Sequence, residues 1–227
     1  MDYRLNFFII LVTMGMFFSE ASAVEWRKVK ESDGIKSYTK VVSESKYQAV
    51  KAVGIVDAPV PVIESILRDP PAYTEFVLNC REYALVNTSE FENLVDTYHI
   101  YMVTAMPFPL KERDAVCRNE FTIEKNTGTI HVCIYGIKTN YKLINNKVRI
   151  PLIKVEYILT PKSANQTEVI YTTVLDPGGV VPEYISNIFS KNMGIDIIKG
   201  LRNMVRIKKY KDRKIVLTTT PHLENSH

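Results

Sequence analysis

Apolar and polar positions alternate in short runs through the first three-quarters of the chain, and a three- and four-residue spacing replaces that pattern near the end. Period-two runs at 35–41, 47–56, 81–87, 94–103, 115–124, 129–135, 152–160 and 168–175 predict strands. Asp33-Gly34 and Asn126-Thr127-Gly128 are turn signals between such runs. Strands joined by short turns must pair antiparallel, because a parallel return needs a long crossover, so the pattern predicts a meander. Ala58-Pro59-Val60-Pro61 opens a helix in which Val62, Ile63, Ile66 and Leu67 share one face, and Pro70-Pro71 ends it.

After Asp176-Pro177-Gly178-Gly179 the period changes. Ile185, Ile188, Phe189, Met193, Ile197, Ile198, Leu201, Met204 and Val205 recur at helical spacing, which predicts one long helix from Pro182-Glu183 to about Lys209. A many-stranded antiparallel sheet can bury such a helix only by curling around it. The expected fold is therefore α+β, a curved antiparallel sheet wrapped around a long C-terminal helix. Large side chains with adaptable or polar-tipped ends fall on the face turned to that helix: Tyr98, Met102, Phe121, Tyr157 and Tyr171.

The stretch from Met106 to Asn119 interrupts the alternation. Pro107 and Pro109 withhold backbone donors, so 106–110 must leave the sheet as an ordered loop that carries Met106, Phe108 and Leu110. Arg113-Asp114 stands where the chain returns to the sheet, placed to hold the loop base through charge-assisted hydrogen bonds.

The chain of 227 residues, 46% hydrophobic and 24% charged, fits one domain, expected over 24–210. With 29 basic and 25 acidic residues the net charge is +4, too balanced to indicate nucleic acid as a partner. Residues 1–23 read as a signal peptide: Arg4, an apolar run over 7–18, then Ala21-Ser22-Ala23. That places the mature protein outside the cytoplasm, periplasmic or secreted, and 211–227 is expected to be a mobile tail. Cys80, Cys117 and Cys133 allow at most one disulfide, and buried reduced thiols are expected.

Little in the residues points to catalysis. His99 and His131 stand alone on strands, and no His-x-x-x-His, Cys-x-x-Cys, Gly-x-Ser-x-Gly or Gly-rich phosphate motif is present. No metal and no cofactor are expected.

An ordered series of motifs resembles a START domain, the lipid-transfer domain related to steroidogenic acute regulatory protein. It comprises Trp26 with Asp33-Gly34-Ile35-Lys36-Ser37-Tyr38, the Ala58-Pro59 helix ending in Leu67-Arg68-Asp69, and Pro107-Phe108-Pro109 with Arg113-Asp114. Val148-Arg149-Ile150-Pro151, Pro161 and Asp176-Pro177-Gly178-Gly179-Val180-Val181-Pro182 follow in order. The resemblance implies a helix-grip fold with an internal cavity for one lipid or other hydrophobic small molecule. Tyr98, Met102, Phe121, Tyr157, Tyr171, Met193 and Ile197 would meet the ligand. Met106, Phe108 and Leu110 would form a lid on the base of Arg113 and Asp114, and Val180 and Val181 would join Phe108 and Leu110 in transient contact with a membrane. The expected protein is a monomeric, non-catalytic carrier. The rival readings are a cavity enzyme of the polyketide cyclase type acting through Arg113, Tyr98 or Tyr101, and a lipid sensor presenting its ligand to a protein. Two departures stand out: Tyr157 occupies a place where the family often has Trp, and Asn119 and Ile100 stand where sterol-binding members carry an Arg and an acidic residue.

Overall fold

The computed structural model describes residues 25–211, without the side chains of 183–190. The expected signal peptide at 1–23 and the tail beyond Lys211 lie outside the described residues. Ten strands form one sheet: β1 (Arg27–Ser32), β2 (Ile35–Lys40), β3 (Ala49–Val56), β4 (Cys80–Leu85), β5 (Thr97–Thr104), β6 (Arg113–Ile123), β7 (Ile130–Gly136), β8 (Val148–Arg149), β9 (Leu152–Ser163) and β10 (Gln166–Asp176). The helices are α1 (Val60–Leu67), α2 (Tyr73–Phe76), α3 (Glu183–Met204) and α4 (Lys208–Lys211).

The sheet is curved around α3, the helix-grip arrangement. Its order is β1-β2-β3-β10-β9-β7-β6-β5-β4, so it is not the single meander the turn signals predict. Two meanders join where β3 pairs antiparallel with β10, from Val56 opposite Thr167 to Val50 opposite Thr173. Between β3 and β4 the chain crosses from the middle of the sheet to its far edge through α1, a 3-10 turn at Pro70–Ala72, and α2. The short β8 pairs parallel with β6, Arg113 opposite Val148 and Asp114 opposite Arg149. An unanticipated strand, β1, contains a single apolar residue, Val29, and is half-buried at most; its pairing to β2 rests on the Asp33-Gly34 turn, where both residues adopt positive φ.

α3 lies against β3 and β2. Gly194 permits the approach: a Cβ there would fall 2.5 Å from the Cβ of Ala52. The far end of the helix is tied down by Arg202, which donates to the carbonyl oxygens of Ile55 and Asp33 at 2.8 Å each. The helix stops at Met204, short of the expected Lys209. Val205 still donates to Leu201, but Arg206 and Ile207 donate to Asn203 and Met204 three residues back, which tightens and ends the coil. The turn redirects the chain into α4, where the hydroxyl of buried Tyr210 donates to Asp69 at 2.5 Å and docks the C-terminal segment beside α1.

Alternation splits the buried residues between two clusters. On the concave side Ile35, Ala52, Val56, Ile63, Ile66, Leu67, Ile100, Leu159, Ile198 and Leu201 are fully enclosed, and each large aliphatic side chain buried there contributes about 1.5–3 kcal/mol. On the convex side Val86, Tyr101, Val103 and Val116 form a smaller cluster covered by Phe91, Ile137 and Tyr141. Ile100 and Met102 therefore face α3 while Tyr101 and Val103 face away from it.

Candidate functional site: an apolar cavity between sheet and helix

The concave side is not filled throughout. A cavity of about 450 Å³ lies between the sheet and α3, within the ~300–1,000 Å³ range usual for small-molecule sites. Met102 and Thr104 of β5, Ile134 of β7, Ile153, Val155 and Tyr157 of β9, and Tyr171, Thr173 and Leu175 of β10 form one wall. Asn192, Met193, Asp196 and Ile197 of α3 form the opposite wall, and Tyr73 and Tyr83 stack with ring centroids 3.9 Å apart beside them. The rim comes from loops: Tyr47 and Gln48 before β3, Leu78 and Asn79 before β4, Met106 and Pro107 after β5, and Pro177 and Val181 after β10.

Five of the residues singled out as ligand contacts, Met102, Tyr157, Tyr171, Met193 and Ile197, line this cavity, and Met106 stands at its rim. Tyr98 and Phe121 do not. They share the concave face with Met102, but at the end of the sheet plugged by α1. The Tyr98 hydroxyl donates to the Leu67 carbonyl at 3.3 Å, its ring stacks on Phe121 at 5.9 Å, and the Arg68 guanidinium covers Phe121 at 3.9 Å. Burial of that closed end pushes the Tyr98 phenol up to about 12. Strand alternation assigns a side chain to a face but not to a depth, and the plug from α1 makes the difference.

Arg113 and Asp114 are buried, as a loop base requires, but they do not pair with each other. Neighbouring strand residues point to opposite faces. Arg113 turns to the rim and donates to the carbonyl oxygens of Pro177 at 3.2 Å and Gly178 at 3.1 Å, and also to that of Lys111. One guanidinium thus ties the 105–112 loop to the β10–α3 connection. Asp114 turns to the convex side, accepting from both Nε and Nη2 of Arg149 at 3.0 Å and from the Tyr101 hydroxyl at 3.1 Å. Phe108 at the tip of the loop is 97% exposed and Val180 across the rim 87% exposed; Leu110 is half-buried, and neither Phe108 nor Leu110 reaches the cavity.

Several polar groups in the cavity wall are already engaged. The Tyr73 hydroxyl donates to the Leu67 carbonyl at 3.1 Å and Tyr83 donates to Asn119 at 3.3 Å. Asn119 is fully buried behind Tyr83, and its Nδ2 has no hydrogen-bond partner among the described residues. The Tyr157 side chain, 2% exposed and packed on Tyr171 at 5.2 Å, makes no hydrogen bond among the described residues, and burial raises its phenol well above the usual range. The thiols are free: burial pushes Cys80, at the cavity wall, up to about 11 and Cys117 up to about 12, while Cys133 is half-buried. His99 stacks on Phe91 and His131 contacts Glu124 at 2.9 Å, both away from the cavity.

Sequence reasoning did not anticipate the rim at Tyr47–Gln48 and at 77–80, nor Asp196. The signal for Asp196 was present, since it stands three residues after Met193 and beside Ile197, on the stripe assigned to the cavity.

A curved antiparallel sheet closed by one long helix over an apolar cavity defines the helix-grip class of ligand-binding proteins. The chain belongs to the START domain family, whose model matches residues 19–211, and membership goes with binding of a hydrophobic ligand. An uncharacterised protein of Pseudomonas aeruginosa is 30% identical over 184 residues, 81% of this chain and 88% of that protein. Among solved structures, the STAR-related lipid transfer protein of Xanthomonas axonopodis (fragment 25–204) superposes with a TM-score of 0.71 at 24% identity, covering 80% of this chain and 99% of that one. Human StAR-related lipid transfer protein 5 superposes with the same score at 14% identity, over 82% and 88% of the two chains. At these identities the two structures establish the fold.

Proposed function

We propose that the protein is a non-catalytic carrier that takes one lipid or similar hydrophobic molecule from a membrane, holds it between sheet and α3, and delivers it elsewhere. The observation that carries this reading is the cavity of about 450 Å³ walled by Met102, Ile134, Ile153, Val155, Leu175 and Ile197. Removing a chain from a bilayer costs about 0.8 kcal/mol per CH2, and an apolar wall of this kind offsets it. The rim supports the membrane half of the reading. Exposed Phe108 and Val180 flank the opening on loops joined through Arg113, and two apolar side chains offered to solvent on one edge suit insertion among headgroups. The signal-like residues 1–23 favour a carrier working outside the cytoplasm, in a periplasm or secreted, and a cavity built within a single chain lets a monomer do the work.

Native mass spectrometry of the purified protein tests the binding half, with a one-to-one adduct of lipid mass expected. Transfer of a fluorescent lipid between donor and acceptor vesicles tests the carrier half. Protein that stays empty after incubation with vesicles would overturn the proposal.

A further inference from the structure

The charges facing the cavity are lopsided. Among the described residues that line it, Asp196 is the single charged one, and no Lys, Arg or His stands beside it. Asp196 is half-buried on α3 between Met193 and Ile197, and among the described residues its carboxylate makes no hydrogen bond and no ion pair. Two basic groups within a turn of it are already committed: Lys30 Nζ donates to Asn192 Oδ1 at 2.6 Å, and Lys199 pairs with Asp33 at 2.5 Å. Arg113, near the rim, spends its donors on backbone carbonyls. A second polar group is idle as well: Tyr157 is buried in the wall, and its hydroxyl has no hydrogen-bond partner among the described residues.

A carboxylate half-withdrawn from water in an apolar wall loses part of its solvation, and a cation or N–H donor carried in by the ligand makes good that loss. An anionic headgroup would meet the opposite situation, a like charge in the wall and no basic side chain to neutralise it. Resting on the carrier reading above, we propose that the cavity selects single-chain amphiphiles whose polar end is an amine, received by Asp196, and rejects the corresponding carboxylates. An ammonium–carboxylate contact is a charge-assisted hydrogen bond, and Tyr157 offers a further donor to any hydroxyl or carbonyl on the same guest. A cavity of about 450 Å³ lies towards the lower end of the usual range, which favours a guest with one chain.

The test uses three probes of equal length at neutral pH, each below its aggregation concentration: dodecylamine, dodecanol and dodecanoate. Displacement of a fluorescent lipid analogue from the full chain reports their affinities. The expected result is that the amine binds about tenfold or more tighter than the carboxylate, a difference of about 1.4 kcal/mol, with the alcohol between them. Asp196→Asn should bring amine and carboxylate to within about twofold of each other, with the melting temperature confirming the fold. Equal or tighter binding of dodecanoate by the natural protein overturns the proposal, and so does a preference for the amine that survives in Asp196→Asn. Failure of all three probes to bind points instead to failure of the carrier reading itself.

Discussion

The guanidinium of Arg113 donates to the carbonyl oxygen of Gly178 at 3.1 Å, across the rim of the cavity. With the bond to Pro177 it couples two loops that are 65 residues apart in the chain and carry Phe108 and Val180. Lysine at this position keeps a charge but loses the fork that reaches several carbonyls together. Arg113→Lys is expected to cost about 1–3 kcal/mol of stability, and to raise the rate at which bound lipid exchanges, read by stopped-flow displacement. Unchanged exchange in a destabilised variant would mean that the bond braces the fold without governing the opening.

Phe108 stands almost wholly in solvent and touches no cavity wall. Its replacement by aspartate should therefore spare ligand affinity while slowing transfer between vesicles, by about tenfold for a loop that must dip into the headgroup layer. Parallel titration and transfer assays separate the two quantities, and an equal loss in both would remove the membrane role.

Met102 projects into the hollow from β5. A tryptophan there should occupy space otherwise used by the guest. Met102→Trp is expected to weaken lipid binding at least about tenfold, with a melting temperature that holds or rises as the void is filled. A marked fall in melting temperature would instead indicate that the wall around Met102 is already tightly packed.

Gly194 is the point where α3 lies against β3. A methyl group would fall 2.5 Å from the Cβ of Ala52 and 3.5 Å from the Tyr171 ring, so Gly194→Ala should overpack the seam and cost about 1–3 kcal/mol despite the better helix propensity of alanine. Chemical denaturation measures the loss. Pairing it with Ala52→Gly should restore much of the stability if this contact is the cause.

Burial raises the thiols of Cys80 and Cys117, so little thiolate exists at either site at neutral pH. In the native protein Cys133, half-buried on β7, should alkylate first and Cys117 only on unfolding. Cys80 borders the cavity, so its slow labelling should become slower still when lipid is bound. Peptide mapping after timed exposure to iodoacetamide resolves the three.

Much of this architecture was legible in the sequence, because local patterns register physical constraints directly. The alternation in β3, β5 and β10 marks one buried face each, the prolines at 107 and 109 mark a loop, and the apolar stripe through Met193, Ile197 and Leu201 marks the gripped helix. What was hidden depends on partners distant in the chain. The pairing of β3 with β10 leaves no local trace, since each strand reads the same beside any neighbour. Tyr98 and Met102 are indistinguishable by alternation, and the arrival of Leu67 and Arg68 at one end of the sheet is what separates core from cavity. Adjacency in the chain suggests one shared role for Arg113 and Asp114, whereas a strand sends adjacent side chains apart.

The convex cluster of Tyr101, Val103 and Val116, with Arg149 clamped on Asp114, backs the same strands that border the hollow at Met102 and Thr104. Buttressed from behind, this partition does not depend on the guest for its shape. The proposed carrier would spend part of each cycle unloaded, and masonry of this kind would let it make the return trip with its vault still standing.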